Sequence, residues 1–105
     1  MQEQELVEKV RALAPMVAGH AREAEETRKP VDSVMQALEE TGIYRYFVPK
    51  KYGGYEFSLE SFMDIGMILG EACISTGWVT TFCMEHNWLL ALYNEAAQDD
   101  IFGRQ

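Results

Sequence analysis

The sequence predicts an all-α fold, an irregular orthogonal bundle of about four to six helices forming one domain over residues 1–105. Three observations predict it. Apolar residues recur at three- and four-residue steps in successive segments, the spacing of one helix face. Residues that start and stop helices bracket those segments, as Pro30 and Asp32 precede one and Gly42 follows it. The alternation expected of a half-buried strand is confined to Tyr44 through Val48, where a lone strand would have nothing to pair with.

The first segment runs from about Glu3 to Glu26 and sets Leu6, Val10, Leu13 and Val17 on one face. Pro15 lies inside it, removing one backbone donor and crowding the preceding turn. A kink between Arg11 and Pro15, or a break into two helices, is the expectation. The second helix carries Val31, Val34, Met35 and Leu38 as its stripe. Pro30 pre-sets φ at its start, Asp32 places negative charge near the positive end of its dipole, and Gly42 ends it.

From Ile43 to Phe57 the chain is aromatic and irregular, with Pro49 and the Gly53–Gly54 pair reading as a tight turn. Such a pair can also cradle a phosphate, but no helix-opening motif follows it here. Ser58 is placed to cap a third helix whose stripe reads Leu59, Phe62, Met63, Gly66, Leu69, Gly70 and Cys73. Gly66 and Gly70 lie one turn apart, so another backbone can come close there.

The segment from Ser75 to Tyr93 differs in kind. From Trp78 onward it reads WVTTFCMEHNWLLALY, with Glu85 its one acidic residue. A helix apolar on nearly all sides is one that is surrounded, and the neighbouring short helices cannot surround it within 105 residues. It therefore predicts packing against further domains or other copies. Asn94 caps a last short helix, with Glu95 in its first turn and Gly103 at its end.

Composition narrows the function. Hydrophobic residues at 48% and charged residues at 25% suit a globular chain rather than a disordered one. A net charge of −8, from 17 acidic and 9 basic residues, argues against nucleic acid and against an anionic membrane surface. No apolar run approaches the roughly 18 residues of a membrane span, and the opening MQEQELVEKV lacks a secretory pattern, so a cytoplasmic location is the expectation. Cys73 and Cys83 match no metal-ligand spacing and read as small buried apolar residues. No metal site and no Ser-His-Asp or Cys-His arrangement is expected, and His20, among Arg22, Glu23 and Glu25, reads as a surface residue.

His86 is the candidate catalytic residue. Trp78, Phe82 and His86 follow one another at four-residue steps and so share one helix face. Two readings stand side by side: a row lining a site, or a packing face whose histidine is satisfied by a backbone carbonyl. Asn87 is a further candidate beside them.

Four stretches carry a resemblance: ALEETGIYRYFVPKKYGGYE (Ala37 to Glu56), GEACISTGW (Gly70 to Trp78), HNWLLALY (His86 to Tyr93) and EAAQDDIFG (Glu95 to Gly103). In this order they resemble the N-terminal domain of the acyl-CoA dehydrogenase superfamily. The Ser-Thr-Gly-Trp turn, followed by His86 and Trp88, is similar to its flavin-dependent monooxygenase branch, which includes oxygenase components of two-component phenol hydroxylases. The resemblance implies a longer subunit, with a middle β-domain beyond Gln105 and a C-terminal four-helix bundle that drives tetramer formation. It also implies flavin (FMN or FAD), bound only in the full-length assembly and supplied by a flavin reductase. His86 would face the flavin ring and an aromatic substrate, with Trp78, Phe82 and Asn87 lining the same place. Two alternatives remain: an acyl-CoA dehydrogenase domain, and a non-enzymatic helical module that uses its apolar helix to associate.

Overall fold

A computed structural model of the chain describes residues 1–103. Six α-helices and two 3-10 turns follow one another among the described residues: α1 (Glu3–Gly19), α2 (Ala21–Thr27), α3 (Asp32–Glu40), 3-10 turns at Ile43–Arg45 and Lys50–Tyr52, α4 (Leu59–Ala72), α5 (Ile74–Leu90) and α6 (Glu95–Phe102). The body measures 43 × 27 × 19 Å. Helix α4 is its centre, packed along α1 on one side and α5 on the other, while α3 closes over α1. Leu6, Val10, Val34, Leu38, Ile65 and Leu69 form the middle of the core and are fully buried.

The first long segment breaks, but not at Pro15. Helix α1 runs through the proline to Gly19, and the break falls at His20. Pro15 and Arg11, whose carbonyl loses its partner, both lie on the exposed face, where water can take the lost bond. At His20 the backbone leaves helical geometry, and its ring Nδ1 donates to the Met16 carbonyl at 2.9 Å. His20 is half-buried rather than fully at the surface.

The irregular stretch behaves differently from a lone strand. Tyr44 opens into a 3-10 turn, and the chain returns through the Gly53–Gly54 turn to form two backbone bonds, Tyr55 N–H to Arg45 O at 3.0 Å and Phe57 N–H to Tyr46 O at 2.9 Å. A side chain on Gly54 would collide with the Val48 carbonyl, so the turn needs a glycine there. Tyr46 is fully buried, edge-on to Phe47 and Phe57, with its hydroxyl donating to the Ser58 carbonyl at 2.7 Å. Burial pushes its pKa up to about 12.

Two ties close the fold at its ends. Ser58 caps α4, accepting from Ser61 N–H, and its own hydroxyl and N–H donate to the Glu3 carboxylate at 2.5 and 2.9 Å. Burial raises the Glu3 pKa, but these donors together bring it below the ordinary carboxylate value. At the other end Lys51 pairs with Glu95 at 2.9 Å and the Tyr52 hydroxyl donates to Asp99, fastening the second 3-10 turn to α6. Asn94 caps α6 by accepting from Ala97 N–H at 2.9 Å.

The α4 stripe is phased differently from the sequence expectation. Ile65 and Leu69 are fully buried, with Phe62, Ile68 and Ala72 packed beside them. Leu59, Met63 and Met67 face outward, the last two 61% and 70% exposed. The helix carries two overlapping apolar rows, and the positions of α1 and α5 select one of them. Cys73 is buried as expected, whereas Cys83 is exposed because it lies on the outer side of α5.

Candidate functional site

Helix α5 positions the candidate residues, and its inner face explains how. That face is made of Thr76, Gly77, Thr80 and Met84, small except for the methionine. The Gly77 backbone lies directly on α4: a Cβ there would meet Gly70 N at 2.8 Å and Gly70 Cα at 2.9 Å. The two helices do approach closely at Gly70, but the glycine the contact requires is Gly77 rather than the Gly66 and Gly70 of the sequence expectation: among the described residues a Cβ on Gly70 would meet nothing within 4 Å.

With small residues turned inward, the aromatic residues of α5 turn outward. Trp78 and Phe82 stack with ring centroids 4.8 Å apart and planes 19° from parallel. Phe82 and His86 follow at 4.3 Å and 41°. Trp78 is 63% and Phe82 43% exposed. The structure thus brings three of the four sequence candidates into one continuous row along two helical turns, about 12 Å.

His86 is exposed rather than a core histidine, though one nitrogen is satisfied as the packing reading anticipated. Its Nδ1 lies 2.7 Å from the Phe82 carbonyl oxygen. A carbonyl only accepts, so Nδ1 carries the proton, and Nε2 of the neutral ring is an acceptor. The ring is held by its own helix on the exposed side of α5. Asn87, one residue on and therefore about 100° around the helix, occupies a different place. Its amide donates to the Tyr44 carbonyl at 3.0 Å and pins α5 to the first 3-10 turn.

Sequence reasoning left out two residues beneath and beside this row. Tyr44 is half-buried against α5, and burial pushes its phenol pKa up, offset in part by Thr80. Arg28, which closes α2, has the left-handed φ of 60° and borders an open groove of about 500 Å³ that reaches Trp78. Neither link is visible as a spacing, because each joins segments far apart in the chain.

The electrostatics are one-sided. No lysine or arginine lies between Lys51 and Arg104, while carboxylates recur through α4, α5 and α6. Among the described residues no three His, Cys, Asp or Glu side chains converge as metal ligands do, and no helix is long and apolar enough to cross a membrane.

The comparisons agree with this architecture. The model of the acyl-CoA dehydrogenase N-terminal domain matches residues 1–101. The oxygenase subunit HsaA of a flavin-dependent monooxygenase from Rhodococcus jostii is 38% identical over 97 residues, 92% of this chain and 25% of that protein. The oxygenase component of p-hydroxyphenylacetate 3-hydroxylase from Acinetobacter baumannii is 34% identical over 92% of this chain and 23% of its own length. A crystal structure of the HsaA monooxygenase from M. tuberculosis superposes with a TM-score of 0.94 at 28% identity, covering 100% of this chain and 29% of that one. The chain spans about a quarter of the length of the curated relatives it matches. With its helices and its relatives in agreement, the chain belongs to the acyl-CoA dehydrogenase N-terminal domain family.

Proposed function

We propose that this chain forms the helical wall of the active site in a two-component, flavin-dependent monooxygenase that hydroxylates a phenol. The observation that supports the reading is His86, exposed at the end of an aromatic row with its Nδ1 occupied by the Phe82 carbonyl, which leaves Nε2 to accept. The relatives named as oxygenase subunits or components carry the same reading from outside.

The residues fit part of a flavin. Trp78 and Phe82 offer a flat, uncharged surface to a ring system, whereas the segment from 52 to 103 has no cation to hold a flavin phosphate. The ring can therefore lie against this wall, with its phosphate held by other residues of a complete assembly. Bound reduced flavin, FMN or FAD from a separate reductase, supplies the activation of oxygen. The chain's own residues orient the substrate and exclude water. Trp78 and Phe82 cover a substrate face, and Nε2 of His86 accepts the phenol O–H. A phenol has an ordinary pKa of about 10, so its proton stays on oxygen at neutral pH. The hydrogen bond draws it partway off and enriches the ring in electrons, as an attack on activated oxygen requires.

The same row and the outward methionines of α4 form the surface through which the domain associates with the rest of such a subunit or with other copies. The test of the catalytic role is His86→Ala in the complete oxygenase, with phenol hydroxylation and oxygen consumption measured separately. Hydroxylation should fall about ten- to a hundredfold, the loss of one charge-stabilising hydrogen bond. Oxygen consumption should persist, uncoupled from product. Unchanged hydroxylation would remove His86 from the site.

A further inference from the structure

The groove beside Trp78 has a chemistry of its own. It lies between the α2–α3 connection and the first turn of α5, holds about 500 Å³, and is lined by Arg28, Lys29, Pro30, Ile74, Trp78 and Val79. That volume falls in the usual range for small-molecule sites, roughly 300–1,000 Å³. Its walls are mainly apolar, with Ser75 on the α5 side and the two basic residues standing with Glu25 at the α2–α3 end. In a chain of net charge −8 this is an unusual place for an anion to be welcome.

The two cations differ. Lys29 is already engaged with Asp32 at 3.7 Å. The Arg28 side chain forms no ion pair or hydrogen bond among the described residues, so its planar fork of donors is open. Its backbone is also held in the left-handed region at φ 60°, ψ 31°, where glycine or asparagine closes a helix with least strain. A bulky charged residue is thus kept at a strained position that faces a groove ending in an exposed indole.

We infer that this groove binds a small aromatic carboxylate, with the carboxylate on the Arg28 guanidinium and the ring against Trp78, Ile74 and Val79. Binding here needs neither flavin nor turnover, so it goes beyond the proposed activity, while sharing Trp78 with the wall described there. A planar anionic head and a flat apolar body are also offered by FMN, and the experiment separates the two.

The test titrates the chain with 1-naphthylacetate, its neutral amide, FMN and riboflavin, following backbone and indole signals by two-dimensional NMR. The acid should shift Arg28 and the Trp78 indole and bind about five- to tenfold more tightly than the amide, as one exposed charge-assisted contact allows. Arg28→Gly should abolish that preference while leaving amide binding unchanged. Because glycine relaxes the left-handed position, this variant should fold at least as stably as the parent. Arg28→Lys, which keeps charge without the fork, should retain only part of the preference. Equal binding of acid and amide, or an acid preference that survives Arg28→Gly, overturns the inference. FMN binding more tightly than the acid, with riboflavin not binding, overturns it in favour of a flavin phosphate site.

Discussion

At the scale of single residues, Thr80 is the one whose environment departs furthest from its chemistry. Its Oγ1 is enclosed and makes no hydrogen bond among the described residues, although Tyr44 lies close enough for Thr80 to temper the rise in its pKa. A buried hydroxyl that makes no hydrogen bond leaves its desolvation uncompensated. Thr80→Val keeps shape and β-branching and removes the orphaned oxygen. It should leave stability unchanged or raise it by up to about 1 kcal/mol in urea unfolding. A loss of more than that would show that the Tyr44–Thr80 bond is made. His86 teaches the complementary lesson: its partner is four residues away on its own helix, so its orientation is local, whereas Asn87 reaches across to Tyr44.

At the scale of elements, the α4–α5 contact depends on glycine at one position and not at another. A Cβ on Gly77 would press into the Gly70 backbone, which cannot move without carrying α4 along. Gly77→Ala should cost about 1–3 kcal/mol of stability through overpacking. Gly66 is different, because a Cβ there meets only the Thr81 methyl at an ordinary 3.5 Å. Gly66→Ala should stabilise by about 0.5–1 kcal/mol through helix propensity. Thermal unfolding of the two variants side by side checks the packing, and equal effects would contradict it. The periodicity of α4 did not separate its two apolar rows, since either is a valid stripe until a neighbour is placed. Pro15 misleads for a similar reason, because its cost depends on whether water reaches the carbonyl it orphans.

At the scale of the whole molecule, apolar exposure and charge act against each other. Ile74, Trp78, Leu92, Met63 and Met67 are each more than half exposed, more apolar surface than an isolated domain of this size comfortably shows to water. Carboxylates without cations border that surface along α4 and α5. Like charges would meet whenever two copies associate through it, and salt screens that repulsion while leaving apolar burial intact. The isolated chain should therefore self-associate between micromolar and millimolar concentration, more strongly at high salt. Sedimentation velocity at two ionic strengths measures this, and a monomer throughout would show that the row and the methionines do not act as a sticky face.

The helices, their caps at Ser58 and Asn94, and the four-residue register of Trp78, Phe82 and His86 were legible in the sequence because each depends on neighbours within one or two turns. The unusual character of α5 was legible too, as a helix with more apolar surface than this chain can cover. Only the tertiary structure decided which side of α5 faces inward, because that choice rests on Gly77 meeting Gly70 and not on hydrophobicity. It also decided the phase of α4, the solvated position of Pro15, the pinning of Asn87 to Tyr44 and the left-handed Arg28 beside Trp78. Each of these joins residues distant in the chain, or turns on access to water, and neither quantity is written in the spacing of side chains along a single helix.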